Sequence, residues 1–208
     1  MNTQKVSVLL NKLTIPIQIT TEGLEEKRRQ GENFYRIHKD KLNWKFEFVE
    51  KEKNSKIKIL KNFSSETEAS KYFYSFQLKR YFFEQYIYPF EQDNKDINIG
   101  EPHCSLRDLQ EAFNRLNISQ SYYSFNGLKK ANSILLEPVN VTESKVFFIG
   151  EGEKIVVESP VVENWLAYYN TFKKVYKLYL LDKHFEFLLT CNLDAEKLSD
   201  EYIKIVLS

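Results

Sequence analysis

Three histidines, two cysteines and six glycines are where the chemistry of this 208-residue chain would be sought first. His184-Phe-Glu186 has the H-x-E spacing of zinc deaminases, where the histidine ligates the metal and the glutamate moves the proton. The P-C-x-x-C segment that completes such a site does not occur, and Phe185, Phe187, Leu188 and Leu189 read as a structural segment instead. His103 and Cys104 are adjacent rather than spaced for one metal ion. His38 stands among Lys39, Asp40 and Lys41. The glycines form neither a G-x-G-x-x-G fingerprint nor a phosphate loop. Gly150-Glu-Gly152 comes nearest, but its acidic residue suits a hairpin turn better than a phosphate. A G-x-S-x-G nucleophile elbow is also absent. The residues therefore predict a protein that is not an enzyme, with no metal and no cofactor.

Composition bounds the rest. Hydrophobic residues make up 42%, charged residues 28% and aromatics 15%, which excludes a disordered or collagen-like chain. A chain of this length buries about 70% of its unfolded surface and needs no disulfide, and two cysteines are too few for a stapled secreted scaffold. Lys and Arg total 30 against 29 Asp and Glu, so the balance does not call for nucleic acid. No run approaches the roughly 18 apolar residues of a membrane span. Met1-Asn-Thr-Gln-Lys5 lacks a signal-peptide pattern, so a soluble cytoplasmic protein is expected.

The elements repeat. Val6, Leu9, Leu10 and Leu13 fall at helical spacing before Ile15-Pro16, and Leu109, Ala112, Phe113 and Leu116 do the same before Ile118, which stands 103 residues after Ile15. A polar stretch ending in glycine follows each: Thr20-Thr-Glu-Gly23 and Tyr123-Ser-Phe-Asn-Gly127. Three strands come next in each half. They are Phe34–Ile37, Trp44–Phe48 and Ile57–Ile59, then Ser133–Leu136, Val146–Ile149 and Ile155–Val157. Polar turns at 50–56 and 150–154 join the second strand to the third in each set. Ser64 or Ser65, with Glu68, caps a long helix, and Ser159 before Pro160 caps its counterpart. Both helices carry aromatic stripes, which the spacing assigns to the core, Trp165 included. Asp194 can cap a last helix bearing Leu198, Tyr202, Ile205 and Val206.

The expected fold is α+β: two similar helix–antiparallel β-meander–helix units packed together, plus a C-terminal helix. Residues 1–90 form the first unit, 91–101 a polar linker, and 102–208 the second unit with the last helix. Residues 1–100 carry 18 basic and 14 acidic groups, and residues 101–208 carry 12 and 15.

Phe63-Ser-Ser-Glu-Thr-Glu-Ala-Ser-Lys-Tyr-Phe73 resembles the F-x-S-E-x-E-A-x-x-Y-F passage from strand to helix in small bacterial immunity proteins of polymorphic toxin systems. Leu116-Asn-Ile-Ser-Gln-Ser-Tyr-Tyr-Ser-Phe-Asn-Gly-Leu128 is similar to their I-P-x-x-x-Y-S-L-x-G-G-L segment. Each half keeps one of the two motifs. The first half has Gln18–Gly23 where the Tyr-Ser segment belongs, and the second has Ser159–Glu163 at the helix entry. The resemblance implies a non-enzymatic inhibitor that occludes a cognate secreted toxin domain in the producing cell's cytoplasm. Expected partner-binding residues are Tyr122, Tyr123, Asn126, Glu143, Glu151 and Glu153, with Glu158 nearby, since clustered carboxylates and aromatic anchors suit capture of a basic cleft. A nucleic-acid-binding or phage-encoded regulatory protein is the alternative. It would use Lys27-Arg-Arg29, Lys39, Lys41 and the lysines from Lys51 to Lys61, with Trp44, Phe46 and Phe48 stacking on bases; Glu47, Glu50 and Glu52 neutralise much of that patch. An enzyme with dispersed active-site residues is a third class, for which no spacing singles out a residue.

Overall fold

The computed structural model describes residues 1–29, 31–51, 56–125, 127–193 and 196–208. It is an α+β protein with one antiparallel and one mixed sheet. Internal contacts divide it into two units, Met1–Leu78 with Leu188–Leu198, and Lys79–Phe187 with Ser199–Ser208.

The first unit starts with α1 (Thr3–Lys12), where the Asn2 side chain accepts the Lys5 N–H at 2.9 Å as a helix N-cap. Val6, Leu9 and Leu10 bury one stripe, and Thr14 at φ 60° ends the helix as the Ile15 N–H returns to the Leu10 carbonyl. The chain then differs from the three-strand expectation. β1 (Ile17–Ile19) and β2 (Gly23–Glu26) form a hairpin around Thr20–Glu22, so the polar stretch is a turn within the sheet. β3 (Phe34–Asp40), β4 (Asn43–Glu50) and β5 (Lys56–Phe63) complete a five-stranded antiparallel sheet in sequential order. Of the expected turn at 50–56, residues 52–55 lie outside the described residues.

α2 (Glu66–Phe82) follows the cap read from the sequence. The Glu68 N–H donates to Ser65 Oγ at 3.3 Å, while the Glu68 carboxylate accepts from the Ser64 N–H and hydroxyl. Its aromatic face lies on the sheet. Phe46 packs edge-on to Tyr72, Phe73 and Phe76, and Tyr35 packs on Phe76 at 4.7 Å. Trp44, Phe46 and Phe48 therefore share the covered face, and Phe46 is fully buried. They form no exposed platform for bases.

In the second unit a π-helical turn, Phe83–Ile87, interrupts the helix before α3 (Tyr88–Asp93). The polar stretch after it contains a short 3₁₀ turn, Lys95–Ile97, held by the Arg115–Asp96 ion pair at 2.5 Å. α4 (Leu106–Arg115) begins with a full capping box between Ser105 and Asp108. It ends as α1 does, with Asn117 at φ 52° and the Ile118 N–H on the Phe113 carbonyl. β6 (Tyr123–Ser124) pairs parallel with β7 (Ser133–Pro138), which pairs antiparallel with β8 (Glu143–Ile149). β9 (Ile155–Glu158) and β10 (Val162–Glu163) both pair antiparallel with β8, and the parallel β6 makes the second sheet mixed rather than a plain meander.

β10 also corrects the helix entry. Ser159 is no helix cap; its hydroxyl accepts the Val146 N–H at 2.9 Å, and α5 (Asn164–Thr190) starts five residues later. Trp165 consequently sits in the first turn, half-buried, with its indole N–H donating to Glu163 at 2.7 Å, and is not part of the core. The core belongs to Phe113, Phe148 and Phe172, joined by Tyr123. α6 (Asp200–Leu207) begins after Ser199, and Asp194 lies outside the described residues. No helix among the described residues is long and apolar enough to cross a membrane.

His184 is buried in α5 beside Phe82 and Phe185, and burial pushes its imidazole down to about 4. The unfolded chain takes up that proton near the ordinary value of 6.5. The unfolded state thus binds more protons between these values, so this stability is complete above the upper one and lost as pH falls toward the lower. We expect the second unit to lose about 2–3 kcal/mol across that window. Urea titrations of the parent and His184→Phe should differ in this slope; equal slopes would show that His184 protonates freely in the fold.

Candidate functional site

The sequence-predicted contact residues occupy different parts of the second unit. Tyr122 is half-buried, packs edge-on to Tyr179 at 5.6 Å and donates its hydroxyl to Asp182 at 3.0 Å; burial first, and Asp182 second, raises its phenol. Tyr123 is only 7% exposed and packs tilted against Phe113 at 4.5 Å, so it serves the core. Asn126 lies outside the described residues. Glu143 opens β8 and accepts from Asn140 at 2.7 Å within its own turn. Glu151 and Glu153 are exposed in the turn beyond the far end of β8. A seven-residue strand spans about 20 Å, so the carboxylates form no single cluster. Glu158 is paired with Lys145.

The chemistry-bearing residues are likewise dispersed. Glu186 is exposed and pairs with Lys183, away from the buried His184 ring. His103 bonds to Asn98 at 2.9 Å, while burial pushes the Cys104 thiol up to about 11. Among the described residues no group of three or more His, Cys, Asp or Glu side chains could hold a metal ion. His38 Nδ1 lies 3.3 Å from Glu47 Oε2, a carboxylate–imidazole pair of the kind used for proton transfer. The same oxygen takes Arg36 Nε at 2.9 Å, and Glu47 is 3% exposed. That arrangement ties β3 to β4 rather than leaving a base free.

β5 gathers three exposed apolar side chains of the first unit on one strand. Its sequence, Lys-Ile-Lys-Ile-Leu-Lys-Asn-Phe, alternates as a half-buried strand would. Among the described residues, however, it lies at the sheet edge and pairs only with β4. Ile57, Ile59 and Leu60 are 55%, 48% and 41% exposed. Ile57 stands opposite Val49 and Ile59 opposite Glu47, which puts both on the sheet face away from α2. A register shift at Phe46/Glu47 leaves Leu60 without an opposing residue, a bulge of the kind that twists a strand and re-aims its side chains. Phe63 anchors the far end against Tyr72 at 5.1 Å, and Lys61 lies over the Tyr72 ring at 4.6 Å. Along its free side, no strand among the described residues pairs with it, and its sequence has no proline and no acidic residue. Sheet edges of this form accept a partner strand, the backbone giving affinity and alternate side chains giving specificity. Sequence periodicity identifies the strand, but not its place in the sheet.

No family model, curated protein or solved structure matches this chain.

Proposed function

We propose that the chain is a non-enzymatic immunity protein that captures a cognate bacterial toxin domain and covers its active site, with β5 as the strand that receives it. The observation that carries this reading is the exposed β5 edge with Ile57, Ile59 and Leu60. Lys56, Lys58 and Lys61 guard the same strand against pairing with a second copy of itself, since like charges would face one another. They select instead an extended toxin segment in which apolar residues alternate with carboxylates. The strand-to-helix motif beginning at Phe63 directly continues β5, so the resemblance and the exposed edge meet in one stretch of chain.

The same reading takes the two halves as copies of one ancestral unit. Strands β2 to β5 and β6 to β9 run in the same spatial order, and α1 and α4 close on equivalent left-handed residues. β6 pairs parallel where β2 pairs antiparallel, so the copies have diverged most at this strand.

The test uses the secreted toxin domain that this reading expects to be encoded beside the gene in its native genome. Co-expression of the wild-type chain should restore growth. Ile57→Asp with Ile59→Asp should weaken binding by about 2–4 kcal/mol, roughly 30- to 1,000-fold in Kd, and abolish rescue without lowering the melting temperature. Glu151→Lys with Glu153→Lys should leave affinity unchanged. Failure of the wild-type chain to rescue would end the immunity reading; rescue by the β5 variant would move the interface elsewhere.

A further inference from the structure

A cavity of about 600 Å³ in the second unit lies between one face of α4 and the chain that follows it. Gln110 and Asn114, one helical turn apart on α4, form one wall. Gln120, in the short 3₁₀ turn Gln120–Tyr122, and Tyr123 of β6 form the other. Phe125 and Leu128 add apolar surface, and Lys130 is the cation of the lining. Its ammonium donates to the Gln120 carbonyl at 3.0 Å and the Tyr123 carbonyl at 3.4 Å, which leaves one of its three donors. Among the described residues no acidic side chain lines the cavity. Such walls suit an uncharged ligand.

Tyr123 points to a ligand independently. It is 7% exposed, with its ring held by Phe113 at 4.5 Å and Phe125 at 5.0 Å. Its hydroxyl nevertheless meets no hydrogen-bond partner among the described residues, and burial alone raises its phenol. A buried hydroxyl without a partner is costly, and this one belongs to a wall of the cavity. The side-chain amides of Gln110, Asn114 and Gln120 are likewise bonded to no described residue. Each sets a donor beside an acceptor.

We propose that this cavity binds an adenine base, free or as its nucleoside. Adenine shows a donor beside an acceptor on two edges, N6–H with N1 and N6–H with N7, and a carboxamide matches either with two hydrogen bonds. Carboxamides on two walls therefore meet both edges. Cytosine offers one edge of this kind. Guanine shows the acceptor pair O6 and N7, which calls for two donors of one cation, and Lys130 has a single donor left. The flat faces of the base suit Phe125 and Leu128. The volume falls within the roughly 300–1,000 Å³ of small-molecule sites, room enough for a sugar as well. The proposal does not rest on β5 or on toxin capture.

Isothermal titration of the full chain with adenosine should give one site per chain, with Kd roughly 10–200 μM, as ligands of this size reach. Adenine alone identifies the source of the base. Affinity equal to that of adenosine assigns the free base, while affinity about ten-fold weaker assigns the nucleoside. Guanosine and cytidine should bind at least about ten-fold more weakly than adenosine. Gln110→Ala with Asn114→Ala, both exposed on α4, should weaken adenosine binding at least about ten-fold at an unchanged melting temperature. Tyr123→Phe keeps the ring and removes the hydroxyl. It should weaken binding about five- to ten-fold, while its melting temperature stays at or above that of the parent, because no protein hydrogen bond is lost. Lys58→Gln, on β5, should change nothing. Absence of saturable heat with adenosine, equal binding of guanosine or cytidine, or parent-like binding by either variant would overturn the proposal. So would a lower melting temperature for Tyr123→Phe, which would show that its hydroxyl is already paired within the fold.

Discussion

Replacing Phe46 by alanine should lower the unfolding free energy of the first unit by about 3–5 kcal/mol. Its ring is 1% exposed, with centroids of Phe76 and Tyr72 at 4.9 and 5.1 Å, Phe73 at 6.3 Å and Tyr35 stacked at 5.6 Å. Removing it withdraws the transfer energy of a buried aromatic and leaves a void walled by other rings. Those rings have few rotamers with which to collapse, so the cavity penalty persists. Phe48 provides the control, because it lies on the same strand face but is only half-buried and meets Tyr35 at 5.0 Å. Phe48→Ala should cost less than half as much. Chemical denaturation followed by Trp44 fluorescence in a Trp165→Phe background reads the first unit alone. A loss below about 1 kcal/mol for Phe46→Ala would mean that α2 does not seat on this sheet.

The parts of this fold that sequence reveals are those whose causes are local. The alternation of Trp44-Lys-Phe46-Glu-Phe48 requires no knowledge of the partner strand, and Ser65 with Glu68 specifies a helix entry within four residues. β1 escapes because three residues are too few to show a period, and its strand character comes from pairing with β2. The half-buried place of Trp165 has a similar origin. Helical spacing gives the stripe but not its first residue, and β10 claims the segment that the Ser159–Pro160 cap signal had assigned to the helix. For the site, periodicity finds β5 but cannot tell a central strand from an edge, since sheet order is set by long-range pairing.

Gly23→Ala should destabilise the first unit by about 2–4 kcal/mol, the largest effect expected at any glycine of the chain. Gly23 closes the polar stretch in sequence, but in the fold it opens β2 directly opposite His38. A Cβ built there would lie 2.1 Å from the Ile37 carbonyl oxygen and 2.9 Å from His38 Cα. Both are backbone atoms, which cannot rotate aside as a side chain would. Ile37 is itself fully buried, so relief must come from β2. Moving β2 would strain the Thr20 hydroxyl that accepts the Gly23 N–H at 3.1 Å, together with the Lys39 N–H bond to the Glu22 carbonyl. It would also lift Leu24 out of the core. Gly150 is a milder case, because its added Cβ would meet the Asp200 carboxylate and a Val156 methyl, both ends of side chains. At Gly152 the Cβ would meet nothing, and alanine there should change stability by less than about 0.5 kcal/mol. Hydrogen exchange at the Leu24 and Lys39 amides, measured beside global unfolding, separates local opening of the β1–β2 hairpin from loss of the whole unit. Parent-like exchange and stability in Gly23→Ala would mean that β2 and β3 are not held this close in solution.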